Sequence, residues 1–208
     1  MKRNWMVRML AALLLVSLGL MGAACSKDEP EGTDVSELSY EGVNPGDYLS
    51  SVTYLGLTVA YDATKGTRSE TLWQAVVDGA TVREYPEQAV AYYVSQIRAE
   101  YRYLADREGL KLEELLSLRG MSEETVRAEA AAMVKSDLVF LYVVEDAGIV
   151  LSESERIAHY DRYADRYVEK YGFDRAYVDE KLRDEVYDSM LFDKTMEYLL
   201  LHNEVTNG

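Results

Sequence analysis

The chain has 208 residues, of which 37 are acidic and 22 are basic, and its formal net charge is −15. A charge of this sign and size repels phosphate backbones, which argues against nucleic acid as a partner. The single cysteine, Cys25, excludes a disulfide framework within the chain and a thiolate metal site. Stability must therefore come from an apolar core, and a chain of this length can build one.

The first residues have the composition of an export signal. Three basic residues stand among the first eight, residues 9–20 form an apolar stretch that is short for a membrane span, and small residues precede Cys25. We predict a signal peptide over residues 1–24. Its removal takes away three basic and no acidic residues, so the formal charge falls from −15 to −18.

The segment Met21-Gly22-Ala23-Ala24-Cys25 resembles a bacterial lipobox. In lipoproteins with this motif the cysteine thiol is lipidated and the signal is cut before the cysteine. The resemblance implies that Cys25 anchors an exported protein to a bacterial membrane on its extracytoplasmic side, because two or more acyl chains hold a protein stably on a bilayer. The alternative is ordinary signal cleavage without a lipid.

Two segments separate the signal from the rest of the chain. Residues 25–47 are acidic and rich in Gly and Pro, which predicts a flexible linker. Residues 48–66 nearly alternate apolar and polar side chains around Gly56, which predicts an extended segment of one or two short strands. A lone strand cannot stand alone, so this segment is expected to lie against helices.

Residues 67–205 carry the signals of successive helices. Thr67 with Glu70, and Ser152 with Glu155, have the spacing of capping boxes at helix starts. Apolar residues then recur at three- and four-residue intervals, which predicts one buried stripe per helix. The predicted helices end at glycines, namely Gly79, Gly109, Gly120, Gly148 and Gly172.

The order of these helices predicts the fold class. Asp174 is expected to cap one last long helix that passes through Leu182 and Leu199. All the connections are short, so consecutive helices should be antiparallel or steeply crossing neighbours. The prediction is a mainly α protein, an elongated bundle of several helices with a short extended segment before it.

Four segments follow one another in this region: residues 85–87 (Tyr-Pro-Glu), residues 115–124 (Leu-Leu-Ser-Leu-Arg-Gly-Met-Ser-Glu-Glu), residues 148–155 (Gly-Ile-Val-Leu-Ser-Glu-Ser-Glu) and Tyr171-Gly172. Together they resemble the C-terminal chaperone domain of bacterial trigger factor, and the periplasmic chaperone SurA has a related helical module. The resemblance covers about residues 84–204. It implies helical arms that form a cradle for unfolded polypeptides.

Two other features of that family are expected to be missing. Residues 54–59 resemble the segment that leads into the trigger factor isomerase domain, a domain of roughly a hundred residues. Here only residues 60–68 and one short helix fill that place. The ribosome-docking Gly-Phe-Arg signature is absent, since Gly172-Phe173 is followed by Asp174. We therefore predict no enzymatic activity, no cofactor and no ribosome partner.

Tyrosine and methionine side chains are the candidate contacts for clients. Tyrosine offers a large rigid surface with a hydroxyl that tolerates water, and methionine adapts to irregular shapes. Tyr92, Tyr103 and Tyr163 fall off the main apolar stripes, so we expect them, with Met121, to be exposed and to bind clients. The alternative for each is that it fills a seam between helices.

Charged residues offer weaker candidates. Asp161, Asp165 and Glu169 share one helix face at four-residue spacing, which is typical of a solvated face and could form an acidic rim that attracts basic client segments. The two histidines, His159 and His202, have no metal-site spacing, so no metal site is predicted.

The leading hypothesis is a membrane-anchored extracytoplasmic holdase that binds unfolded or newly exported polypeptides and assists their folding and transport. One alternative is a structural or assembly lipoprotein that binds a single folded partner. A second alternative is a vestigial peptidyl-prolyl isomerase. Any membrane contact would be made through the lipid on Cys25.

Overall fold

The computed structural model describes residue 40, residues 42–64 and residues 66–207. The predicted signal peptide and Cys25 lie outside these residues. Eight helices and four short strands occur in the described part, which confirms the mainly α class. The helices are α1 (Pro45–Tyr48), α2 (Arg68–Gly79), α3 (Glu87–Glu108), α4 (Leu112–Leu118), α5 (Glu123–Asp146), α6 (Glu153–Tyr171), α7 (Arg175–Lys181) and α8 (Arg183–His202). The strands are β1 (Leu49–Ser51), β2 (Thr58–Tyr61), β3 (Thr81–Val82) and β4 (Glu204–Asn207).

Polar side chains start the helices at the predicted positions. The Thr67 hydroxyl accepts a hydrogen bond from the Glu70 amide at 3.1 Å, and the Glu70 carboxylate accepts one from the Thr67 amide at 2.6 Å. Ser152 and Glu155 form the same reciprocal box before α6. Each box satisfies amides that the first helical turn leaves without a partner. Gly109 ends α3 in a left-handed conformation with φ of 69°.

The predicted last long helix is two helices, because α7 ends and α8 begins at Leu182. The backbone of Leu182 has φ of −117° and ψ of 16°, outside the helical range. Its side chain is buried in one cluster with Val178 and Val186. The break lets α7 pack on α6 while α8 still runs back towards the other helices. Asp174 does cap α7, as predicted, by accepting a hydrogen bond from a backbone amide at 2.7 Å.

Residues inside the predicted linker, which was expected to end at residue 47, are packed in the fold. Tyr40 is buried, with 5% of its surface exposed, and its hydroxyl donates a hydrogen bond to Asp137 on α5 at 2.9 Å. Pro45 is also buried, at the start of α1, which Asn44 caps. This part of the expected spacer therefore packs on the helices.

The extended segment finds its partners far away in sequence. Strand β1 pairs with β3 in an antiparallel arrangement, and β2 pairs with β4 in a parallel one, with Thr58 opposite Glu204 and Tyr61 opposite Asn207. Neither β3 nor β4 was expected from the sequence. Strands of two and four residues have too few side chains to show a period-2 pattern.

The buried side chains form two clusters. The larger one, here the main body, joins residues 40–61, helices α2 to α5 and the C-terminal half of α8. The smaller one, here the arm, joins α6, α7 and the N-terminal half of α8. Helix α8 contributes to both, through Val186 and Met190 in the arm and through Met196 and Leu199 in the main body.

Candidate functional site

Tyrosine hydroxyl groups join the helices of the arm. Tyr160 on α6 donates to Asp179 on α7 at 2.9 Å, and Tyr163 donates to Asp193 on α8 at 2.7 Å. Burial, followed by the hydrogen bond to each aspartate, raises the pKa of both tyrosines to about 12. They therefore stay protonated near neutral pH and act as donors.

Arg175 forms ion pairs with residues on both sides of the turn between α6 and α7. Its guanidinium group lies 2.6 Å from Asp161, 2.6 Å from Asp165 and 3.0 Å from Asp179. The planar group presents several N–H donors in a fixed geometry, so one side chain can bridge three carboxylates. The hydrogen bonds with Asp179 and Asp161 raise the pKa of Arg175 further above its ordinary value.

Two of the three carboxylates of the expected acidic rim form ion pairs with Arg175. Asp161 and Asp165 are exposed, and Arg175 also pairs with Asp179, so one positive charge is shared by three carboxylates and a net negative charge remains. Glu169 is exposed on the same helix and has no ion pair with another described residue. Two of the three carboxylates therefore contribute ion pairs to the arm, and the attraction of basic client segments to this rim stays a prediction.

Glu155 and Lys194 connect the base of the arm to α8. The Lys194 ammonium lies 2.5 Å from the Glu155 carboxylate and donates a further hydrogen bond to the carbonyl of Val150 at 2.8 Å. Hydrogen bonds from Lys194 and Ser152 lower the pKa of Glu155 to about 2. The N-terminal end of α6 is thus held at the point where α8 enters the main body.

Four aromatic rings follow one another at the other end of α6. Tyr167 and Tyr171 have ring centroids 5.5 Å apart, Tyr171 and Phe173 are 5.8 Å apart, and Phe173 and Tyr177 are 5.4 Å apart. We call this row the aromatic ladder. Phe173 is 39% exposed and Tyr177 is 47% exposed, while the other two rings are half-buried.

The position of the ladder explains its exposure. Its last two residues lie in and just after the turn at Gly172, where α6 ends and α7 begins. α6 has 19 residues and rises by about 28 Å at 1.5 Å per residue, so this turn lies far along the arm from the base at Glu155. Phe173 and Tyr177 are the most exposed rings of the ladder in the described part of the chain.

Other large apolar side chains are exposed on both the main body and the arm. Among the described residues they include Leu118 (73%), Val150 (70%), Ile157 (74%) and Leu201 (82%). Isolated apolar side chains are common on protein surfaces. The ladder differs because its four rings follow one another at centroid distances of 5.4 to 5.8 Å and two adjacent ones, Phe173 and Tyr177, are exposed, which makes it the candidate binding surface.

The exposure expected for three tyrosines is wrong for two of them. Tyr92 is 6% exposed and packs edge-to-face on Tyr93, with ring centroids 5.6 Å apart. Tyr163 is 7% exposed, and Arg166 lies over its ring at 4.5 Å. Both fill seams between helices, so neither is available to a client. Tyr103 is partly exposed with Arg107 over its ring at 5.8 Å.

Met121 is also only partly exposed. It lies between α4 and α5 and packs against the main body. The predicted client residues are therefore divided between the two clusters: Tyr92 and Tyr103 lie on α3 and Met121 between α4 and α5 in the main body, while Tyr163 lies in the arm. Sequence reasoning missed Phe173 and Tyr177, although their position beside Gly172 signals a turn, where side chains have few covering neighbours.

The main body holds one buried charged group. Asp137 on α5 is fully buried and accepts hydrogen bonds from Tyr93 at 2.6 Å and from Tyr40 at 2.9 Å, both on the same carboxylate oxygen. Its other oxygen has no hydrogen-bond partner in the described part of the chain. Burial raises the pKa of Asp137 to about 7, and the two tyrosine hydrogen bonds partly oppose the rise.

The described residues offer neither a metal site nor a membrane span. No group of three or more His, Cys, Asp or Glu side chains there is arranged to hold a metal ion. None of the helices there combines the length and the apolar character that crossing a bilayer requires.

Comparison with known proteins places the chain in a family. No curated protein and no solved structure matches it. One family model, described as bacterial trigger factor protein (TF) C-terminus, matches residues 60–201, about two thirds of the chain. The match covers both the main-body helices and the arm. The chain belongs to the family of the trigger factor C-terminal domain, whose helical fold is associated with a chaperone-like role in binding unfolded polypeptides.

Proposed function

We propose that the protein is an exported, lipid-anchored holdase that binds unfolded polypeptides with its arm. The observation that carries this proposal is the aromatic ladder, a continuous and partly exposed row of rings on the arm of a trigger factor C-terminal fold. Family membership supports the chaperone-like part. The lipobox-like segment before Cys25 supports the export and the anchor.

The chemistry of the ladder suits weak binding to many sequences. Aromatic rings bury large apolar areas and also pack edge-to-face or offset on the rings of a partner. Tyr171 and Tyr177 carry hydroxyl groups that keep their outer edges compatible with water. Such a surface holds apolar client segments without demanding one sequence, which is what a holdase needs.

The anchor would keep this surface close to the membrane. About 15 residues lie between Cys25 and Tyr40, where the described part begins, and a chain of this length spans at most about 50 Å. A body held within this distance of the bilayer meets polypeptides soon after they are exported. The strong negative charge of the chain opposes flat contact with anionic lipid headgroups.

The first prediction concerns the ladder. The parent protein begins at residue 25 and carries Cys25→Ser, which removes the lipid site. The double change Phe173→Ser and Tyr177→Ser in this protein should make it about tenfold less effective in suppressing the aggregation of reduced lysozyme. The reason is that two exposed rings contribute roughly 1–2 kcal/mol to binding beyond the neighbouring contacts. The measurement is light scattering with increasing amounts of each variant. Leu201→Ser is the matched control, since Leu201 is exposed outside the ladder. Equal suppression by both variants would contradict a role for the ladder, and no suppression by the parent protein would contradict the holdase.

The proposal includes no catalysis. We predict that the same protein does not accelerate cis-to-trans prolyl isomerisation in a short peptide. The time constant should stay at its uncatalysed value of roughly tens of seconds. The motivating observation is the short connection between β2 and α2, six residues long, where the family has an isomerase domain. Acceleration that grows in proportion to protein concentration would show that the chain retains an isomerase function.

A further inference from the structure

Strand β2 has one edge that no described strand covers. It pairs with β4 only, and the amide of Glu204 donates a hydrogen bond to the carbonyl of Leu57 at 2.8 Å. In a parallel pair, the backbone groups of successive residues point to opposite edges of a strand. Leu57 and Val59 therefore direct their groups towards β4, whereas Thr58 and Ala60 direct theirs towards the other edge.

The two edges of this sheet differ in whether their outward backbone groups have hydrogen-bond partners. On the β4 side, the carbonyl of Val205 points away from β2 and accepts a hydrogen bond from the guanidinium group of Arg68, which also lies over the ring of Tyr61 at 5.8 Å. On the β2 side, Thr58 and Ala60 are exposed. Within the described residues, no hydrogen bond from outside the sheet reaches the backbone of either one.

Strand β2 is only four residues long and contacts α2, but it lacks the chemical features that usually prevent pairing at an open edge. Proteins commonly place charged residues, proline or a bulge on such strands to prevent pairing with another chain. Residues 58–61 read Thr-Val-Ala-Tyr, with no charge and no proline, and their pairing with β4 has no bulge. A two-stranded sheet is marginal by itself, so a third strand would add stability.

We propose that the outer edge of β2 binds an extended segment of an unfolded polypeptide as an additional strand. This inference rests on the proposed function and names the conformation in which the client is held. Main-chain hydrogen bonds supply affinity in this mode whatever the client sequence. The unpaired N–H and C=O groups of Thr58 and Ala60 are the groups that would make them.

Charge identifies the occupant as another polypeptide instead of a second copy of this chain. Two copies would each bring a formal charge of −15, and their mutual repulsion opposes pairing of one β2 with another. The edge itself carries no charge, so it does not repel other chains. The geometry and the charge together favour a neutral or basic segment in an extended conformation.

Amide hydrogen exchange tests the proposal directly. The sample is the protein that begins at residue 25 with Cys25→Ser, and the probe is ribonuclease A that has been reduced and carboxamidomethylated so that it stays unfolded. When the probe concentration is about ten times its dissociation constant, hydrogen exchange of the Thr58 and Ala60 amides should slow by about tenfold. The Val59 and Tyr61 amides, which already bond to β4, serve as internal references and should change little.

A pair of variants separates backbone from side-chain effects. Ala60→Pro removes the outward N–H and should lower affinity for the probe several-fold, whereas Ala60→Val keeps that N–H and should bind as the parent does. If Ala60→Pro fails to fold, the exchange measurement on the parent protein still decides the question.

The outcomes distinguish the inference from the function on which it rests. Binding of the probe without slower exchange at Thr58 and Ala60 would overturn strand addition and leave the holdase intact. Failure to bind the probe at all would overturn both. Slow exchange of these amides in the absence of probe would also overturn the inference. Protection that increases with protein concentration would indicate a second copy on the edge, and protection that does not vary would indicate a segment of the same chain.

Discussion

At the scale of single residues, the buried Asp137 makes the stability of the protein depend on pH. A carboxyl group loses its hydration when it is buried, which disfavours its charged form, and here the two tyrosine donors replace only part of that hydration. The pKa of about 7 in the folded protein lies above the ordinary value of 3.8. The folded state therefore holds this proton more tightly than the unfolded state does.

The sign of the pH dependence follows from this difference. Between about pH 4 and pH 7 the folded state binds more protons at Asp137, so its contribution to the free energy of unfolding falls as the pH rises. We predict that the parent protein loses about 3 kcal/mol of stability relative to Asp137→Asn between pH 5 and pH 8. Urea unfolding at several pH values measures the difference, and a difference that does not vary with pH would contradict the prediction.

Single tyrosines also show how far a sequence pattern can be trusted. Tyr92 and Tyr163 fall off the apolar stripe of their own helices, yet both are buried because a neighbouring helix covers the side of the stripe. Tyrosine can be buried at such a border when its hydroxyl finds a partner, as Tyr163 does with Asp193. Periodicity locates the centre of the buried face and leaves its width open.

At the scale of elements, the turn between α6 and α7 depends on Arg175. α7 has only seven residues, too few for a stable isolated helix, so its order must come from contacts with α6 and α8. The bridges from Arg175 to Asp161 and Asp165 connect it to α6 across the turn. The aromatic ladder spans the same turn, so the ion pairs also position the candidate binding surface.

We predict that Arg175→Met loosens this turn locally. Removing an ion-pair network at a partly exposed site should make the amides of α7 exchange roughly fivefold faster, while those of α5 keep their rate. Hydrogen exchange followed by mass spectrometry of peptides measures both. Arg102→Met is the control, because Arg102 is an exposed arginine outside the arm with no ion pair to a described residue. Equal exchange in α7 of both variants would show that the network does not hold the turn.

The helices show which element boundaries local signals can specify. The capping boxes at Thr67 and Ser152 and the left-handed glycines at Gly109 and Gly172 occur where they were predicted, because each depends on atoms within a few residues. The break at Leu182 was missed. No glycine or proline marks it, and it follows from the need of α7 to pack on α6.

At the scale of the whole molecule, Asn203 joins the two ends of the described chain. Its side-chain oxygen accepts a hydrogen bond from the Leu57 amide at 2.8 Å, and its side-chain nitrogen donates to the carbonyls of Tyr54 at 3.0 Å and Leu199 at 2.7 Å. One amide group thus fixes the segment before β2 to the end of α8. Helix α8 in turn connects the main body with the arm.

Asn203→Ala should therefore destabilise the whole fold. It leaves partly buried backbone groups of Leu57 and Tyr54 without partners, which costs about 2 kcal/mol. Urea unfolding followed by the fluorescence of Trp73, which lies in the main core, measures the loss. Asn207→Ala, at the exposed end of β4, is the control and should stay within about 0.5 kcal/mol of the parent. Equal stability of the two variants would contradict the role given to Asn203.

The sequence by itself determined the helical class, most helix starts and ends, and the resemblance to the trigger factor C-terminal domain, because these depend on short-range chemistry and on periodic patterns. Only the tertiary structure decided which tyrosines are exposed, that Tyr40 belongs to the core, that β2 pairs with β4 and that Arg175 pairs with two carboxylates of the expected rim. Each of these depends on residues that are distant in sequence or lie on different helices. A local sequence pattern does not reveal which distant residue will cover a side chain, pair with a strand or form an ion pair with a charged group.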